Sequence, residues 1–171
     1  QLGYSITHNF LSDLGGYQSQ SGAVNFLSAF FFNLSMFMFV GAGIAFTFVP
    51  RLFKEDPLNY ALAIIGSAFF FLGTAFFAGV GLTPHDLYRK MHVFLSVNAF
   101  RFLVPGSIAY FIVLLRSPVE NKYVLVTMSY LGFTAAYVIY QLVGGSPMES
   151  QEEMVRQAII QKLIVLVSIA T

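Results

Sequence analysis

Long apolar stretches, at about 24–49, 59–82, 91–115 and 123–143 with a fifth at 157–171, dominate this chain of 171 residues. The hydrocarbon layer of a bilayer is roughly 30 Å thick, so a helix needs about 20 apolar residues to cross it. The first four stretches meet that length, and the fifth is a turn or two short unless the chain continues. A soluble domain would have to hide four such stretches inside one small core, and would be about a quarter charged. Here only 10% of residues are charged, and the mean hydropathy is +0.72. Backbone groups in lipid must find their hydrogen bonds internally, which selects helices over open strands. The reading is an all-α polytopic transmembrane bundle of five helical segments forming a single domain, 1–171.

The breaks between stretches are short and well marked. Residues 1–22 are polar, with Gly15-Gly16 as a breaker. Pro50 and Pro57 bracket the first turn, since proline ends one helix and is tolerated at the start of the next. Pro118 does the same between the third and fourth stretches, and Gly144-Gly145-Ser146-Pro147 closes the fourth, with Ser146 or Ser150 as a cap for the last helix. Connections this tight make successive helices antiparallel neighbours. By alternation residues 1–22, 82–92 and 144–156 share one face. No Lys or Arg precedes Arg51, so that face is expected to be extracytoplasmic. Tyr4, Tyr17, Tyr60, Tyr88 and Tyr123 fall where an interfacial aromatic belt belongs.

Composition excludes several functions. There is no cysteine, hence no disulfide, thiolate metal site or cysteine nucleophile. A net charge of +1 with dispersed basic residues is no nucleic-acid footprint. The expected partners are the lipid bilayer and other membrane subunits.

The polar face collects all three histidines, His8, His85 and His92, together with Ser12, Asp13 and Asp86. Two readings compete. In one, His8, His85 and His92 hold a zinc ion, Asp86 acts as base or orients a ligand, and Ser12 and Asp13 position water or substrate. That requires the loop after Gly81 to fold back, because residues seven apart on a continuous helix are roughly 10 Å apart along the axis. In the other, His92 is an interfacial residue at a helix start, Asp86 caps that helix, and Ser12-Asp13 is a plain cap and turn. Glu149, Glu152 and Glu153 read as an acidic first turn ahead of Arg156. Arg101 lies near mid-bilayer, where it is expected to face the bundle interior and pair with Asn98, or with Asn25 or Asn33 of the first helix. Lys162 is expected to snorkel. Ala75 and Gly79, four apart, are a candidate close helix contact. Only His92 begins a helix, so no haem is expected.

Ser12-Asp13-Leu14-Gly15 before one helix, and Pro84-His85-Asp86 followed by His92 at another, resemble signature positions of the small polytopic membrane family known as domain of unknown function 998. The resemblance implies six helices, of which this chain would carry the second to sixth as part of a longer protein. In residue types the set Ser12, Asp13, His8, His85 and His92 is also similar to that of alkaline ceramidase and adiponectin-receptor-type membrane hydrolases, whose histidines hold zinc. The leading expectation is an accessory or structural subunit of a membrane assembly. The alternatives are a metal-assisted membrane hydrolase and a small-solute or lipid-headgroup binder or transporter built around Arg101.

Overall fold

The computed structural model describes residues 3–19, 21–144 and 150–170. Among them are five α-helices and no named strand: α1 Phe26–Phe46, α2 Pro57–Leu82, α3 Arg89–Arg116, α4 Asn121–Val143 and α5 Gln151–Ala170. Short 3-10 turns at Leu11–Gly15 and Val49–Phe53 flank α1. Four spans are long and apolar enough to cross a membrane, namely Phe26–Phe53, Pro57–Leu82, Arg89–Arg116 and Asn121–Val143. The fold is the all-α bundle expected, consistent with an integral membrane protein.

The helix ends reflect local chemistry. Asp56 accepts the amides of Leu58 and Asn59 at 2.9 and 3.1 Å, with Pro57 at the first helical position of α2. Arg116, closing α3, donates to Asn59 at 2.9 Å and pairs with Asp56 at 3.2 Å, fastening two helix ends together. The start of α5 departs from expectation, at 151 instead of 157. The Glu153 amide donates to Ser150 Oγ at 3.1 Å, and Arg156 pairs with Glu152 and Glu153 at 3.3 and 3.4 Å. A capped, charge-laced turn therefore extends the helix before its apolar part begins. Glu149 and Ser146 lie outside the described residues.

The core sits between α2 and α3, with α1 laid on α2, α4 on α3, and α5 on α4. Small residues seven apart on both central helices bring the two backbones together. A Cβ on Gly73 would lie 3.0 Å from the Ala99 carbonyl oxygen, and one on Gly106 would lie 3.2 Å from that of Gly66. This spacing, and not Ala75 with Gly79, makes the closest backbone approach. Across the bundle the phenylalanines form a ring ladder: Phe39 of α1 on Phe77 of α2 at 5.2 Å, Phe77 on Phe100 of α3 at 5.1 Å, and Phe100 on Tyr137 of α4 at 4.8 Å. The last two pairs are edge-to-face, a geometry that contributes about 0.5–1.5 kcal/mol per pair beyond area burial. Lower down, Ser67 donates to the Phe46 carbonyl at 2.6 Å and accepts from the Tyr110 hydroxyl at 2.6 Å, tying α1, α2 and α3 through one satisfied polar group.

Candidate functional site: a polar cap over one end of the bundle

The N-terminal segment folds back across the bundle end where α1 begins. Its reversal is a tight turn in which the Ser19 amide donates to Ala23 and the Gly22 amide to Ser19, both at 2.9 Å. Gly22 adopts φ 80°, a conformation glycine reaches without steric cost. From there Leu11–Gly15 lies across the helices. A Cβ on Gly15 would collide with the Phe32 ring, and one on Gly16 would come within 2.9 Å of the His85 ring. The Gly15-Gly16 pair thus serves as a surface on which a ring from α1 and one from the 83–88 loop are seated.

Two carboxylates secure this cap. Asp13 folds back on its own segment, accepting from the Asn9 side chain at 2.9 Å and the Phe10 amide at 3.1 Å through Oδ2. Its Oδ1 faces His85 Nε2 at 3.5 Å. Asp86 accepts the Tyr17 amide at 3.0 Å and the Gln18 amide at 2.9 Å, one on each oxygen. Burial acts to raise the Asp86 pKa, but the amides of Gln18, Tyr17 and Asp86 itself, with His85 beside them, hold the carboxyl below its ordinary value. Asp86 is therefore not the cap of the next helix. Tyr88 occupies that position without a side-chain cap bond, and Asp86 clamps the N-terminal segment instead.

The histidines divide into a pair and an outlier. The rings of His85 and His92 lie 6.0 Å apart, centroid to centroid. His92 is 4% exposed, and its Nδ1 contacts the Thr83 carbonyl at 2.6 Å. A carbonyl only accepts, so Nδ1 carries the proton and the neutral ring keeps its lone pair on Nε2. The Asp13 carboxylate lies 3.5 Å from His85 Nε2, and its charge favours the ring proton there, leaving the lone pair on Nδ1. Both lone-pair nitrogens, His85 Nδ1 and His92 Nε2, are buried without a hydrogen-bond partner among the described residues. His8 is exposed and local, its Nδ1 meeting Thr7 Oγ1 at 2.8 Å and Ser5 Oγ at 3.3 Å. Among the described residues no cluster of three or more His, Cys, Asp or Glu is placed to hold a metal ion. The expected convergence of all three histidines is therefore corrected to a pair oriented by Asp13 and the Thr83 carbonyl.

The remaining expectations also sort out. Ser12 is half-buried and its hydroxyl makes no hydrogen bond among the described residues. Asn25 donates to the Leu14 and Gly16 carbonyls at 3.0 and 3.1 Å, securing the cap. Asn98 donates to the Phe94 carbonyl of its own helix at 2.7 Å, and no hydrogen bond among the described residues joins it to Arg101. Arg101 itself is exposed on the outer face of α3 with no hydrogen bond or ion pair among the described residues, against the expectation that it points inward. Ala99 and Gly106 make the close contact with α2 from the other side of α3, which leaves Arg101 on the outward side. Lys162 does not snorkel to the interface: it donates to the Asn9 and Ala158 carbonyls and stands 5.7 Å from the Tyr4 ring. Asn9, Thr83 and Gln161 are contacts of the cap that the chain alone does not single out. The one available signal is Gln161-Lys162, a polar pair set inside an apolar stretch.

Comparison with protein-family models, with curated proteins and with solved structures found no match.

Proposed function

We propose that this is an accessory or structural subunit of a membrane assembly, docked through the outer face of α3 onto a partner helix that carries a hydrogen-bond acceptor in the bilayer. The observation that carries this reading is Arg101. It stands twelve residues from Arg89 and fifteen from Arg116, about 18 and 22 Å along the axis. An arginine at that depth costs about 2.5–3.5 kcal/mol on insertion scales and is rare without a partner. Phe94, Ile108 and Leu115 line up with it at intervals of seven and are 56, 44 and 59% exposed, forming an apolar stripe with one cation in its middle. A second copy is disfavoured, because a twofold contact through this stripe would set two arginines against each other. The fitting partner is a different helix bearing Asp, Glu, Asn or Gln.

The absence of Lys and Arg before Arg51 supports an extracytoplasmic cap. The two motifs that resemble domain of unknown function 998 meet in that cap through Asp13 with His85 and the Tyr17 and Gln18 amides with Asp86, which favours a common role for them. The test is the mass of the assembly in native membranes extracted with mild detergent. Arg101→Leu is expected to release the chain from its complex, while Arg101→Lys retains part of it. An unchanged complex with Arg101→Leu rejects the proposal.

The histidine pair favours a second reading, a metal-assisted membrane hydrolase. Each lone-pair nitrogen belongs to a ring whose other nitrogen meets a carbonyl, for His92, or faces a carboxylate, for His85, the kind of support that metal-bound histidines use. Zinc would be held by His85 Nδ1 and His92 Nε2, with water or substrate completing the shell. Zinc content of the purified protein, lost in both His85→Ala and His92→Ala, supports it; zinc content unaffected by either substitution rejects it.

A further inference from the structure

Beneath the polar cap lies an apolar groove of about 830 Å³, bounded by α1 on one side and by α4 and α5 on the other, with α2 and α3 as its floor. Phe77 and Phe100 of the ring ladder form part of that floor. At one end Leu11, Ser12 and Leu14 close it. That closure is a strap tied at both ends. The Leu11 amide donates to Gln161 Oε1 of α5 at 3.0 Å, and the Leu14 carbonyl accepts from Ser28 Oγ of α1 at 2.9 Å.

We infer that this groove binds the acyl chain of an uncharged lipid whose hydroxyl- or ester-bearing head rests under the strap. The strap decides against a protein occupant. A helix of another protein that crosses the bilayer must leave through both ends of the groove, and the strap bars one of them. An acyl chain enters sideways from the bilayer and needs only one end. The volume lies within the roughly 300–1,000 Å³ typical of small-ligand pockets. The head is set by the polar groups at the closed end. Ser12 Oγ and Gln161 Nε2 make no hydrogen bond among the described residues, so a hydroxyl donor and acceptor and an amide donor remain for a ligand. The nearest cation, Lys162, is engaged by the Asn9 and Ala158 carbonyls, so no cation is set aside for a phosphate. The chemistry suits a monoacylglycerol-like head better than an anionic one. This inference is independent of the docking face on α3.

The experiment uses the full chain reconstituted in phosphatidylcholine vesicles with a monoacylglycerol carrying a diazirine in mid-chain. After irradiation, adducts are expected on groove residues such as Phe39 and Val165. Ser35→Trp and Val165→Trp, which fill the groove from opposite walls, are expected to lower labelling about tenfold, equivalent to about 1.4 kcal/mol of binding. Leu115→Trp, on the outer stripe, leaves it unchanged. Unlabelled monoacylglycerol competes in the unsubstituted protein, and phosphatidylglycerol does not. Adducts spread evenly over all lipid-facing helices overturn the inference whether or not the tryptophan variants fold, as does labelling that either tryptophan leaves intact. Equal competition by phosphatidylglycerol overturns the assignment of an uncharged head.

Discussion

Replacing Asp86 by alanine should unfasten the N-terminal segment from the rest of the protein. Asp86 receives two backbone amides, from Tyr17 at 3.0 Å and Gln18 at 2.9 Å. Hydrogen bonds to a charged acceptor contribute about 1.5–3 kcal/mol when well shielded. Asp86 is exposed and its partners can turn to water, so the pair together contributes less than that, about 1–2 kcal/mol. That corresponds to about a 5- to 30-fold change in the opening equilibrium. The assay is amide hydrogen exchange in nanodiscs, read on peptides covering 15–19. Asp86→Ala should accelerate exchange there by that factor while α2 and α3 keep their protection. Asp86→Asn, which retains a carbonyl acceptor but no charge, should fall between the two. The pH dependence has a definite sign. The folded pKa of Asp86 is lowered, so its contribution is complete above the ordinary carboxylate pKa of about 3.9 and is lost as pH falls through the folded value. Protection of 15–19 that is indifferent to Asp86→Ala would refute the clamp.

The same packing leads to three further outcomes. Gly73→Val should destabilise the α2–α3 contact by about 1–3 kcal/mol, read as a lower unfolding midpoint in detergent, because its Cβ falls 3.0 Å from a backbone carbonyl that cannot move aside. Arg101→Leu should leave the isolated chain folded and as stable as before or more so, since the guanidinium makes no hydrogen bond or ion pair among the described residues; unfolding of the isolated variant would restore the inward-facing expectation. Single cysteines at Ser19, Leu87 and Ser150 should all react with a membrane-impermeant reagent from one side, the extracytoplasmic one, and opposite accessibility at any pair would contradict the helix count.

The spans and their breaks were legible because length, proline and capping residues act locally. Pro57 begins α2 and Ser150 caps α5 as read from the chain. The facing of the helices was not legible. A helix that is apolar all round leaves no periodic stripe to mark its inner side, so nothing in the chain showed that Gly66, Gly73 and Gly106 meet while Arg101 faces out. The polar cap was legible in part. Alternation placed the two polar segments on one face, and the loop after Gly81 does bring His85 and His92 within 6.0 Å. Which partner each side chain takes depended on distant residues. Asp86 found amides 68 and 69 positions away instead of the helix just after it, and Asn9 found Lys162. Tertiary competition of this kind overrides a local capping preference because two amides offer more than one exposed helix end.

The measurement that bears most directly on the proposed role is photo-crosslinking in native membranes from the outer stripe of α3. A benzophenone amino acid at Phe94 or Ile108 should form a single adduct with a distinct membrane polypeptide, mapped to a helix that contains Asp, Glu, Asn or Gln, and Arg101→Leu should abolish it. The same probe at Leu72, exposed on α2, should yield lipid adducts only. Lipid adducts alone from Phe94 and Ile108, or a protein adduct that survives Arg101→Leu, would contradict the account.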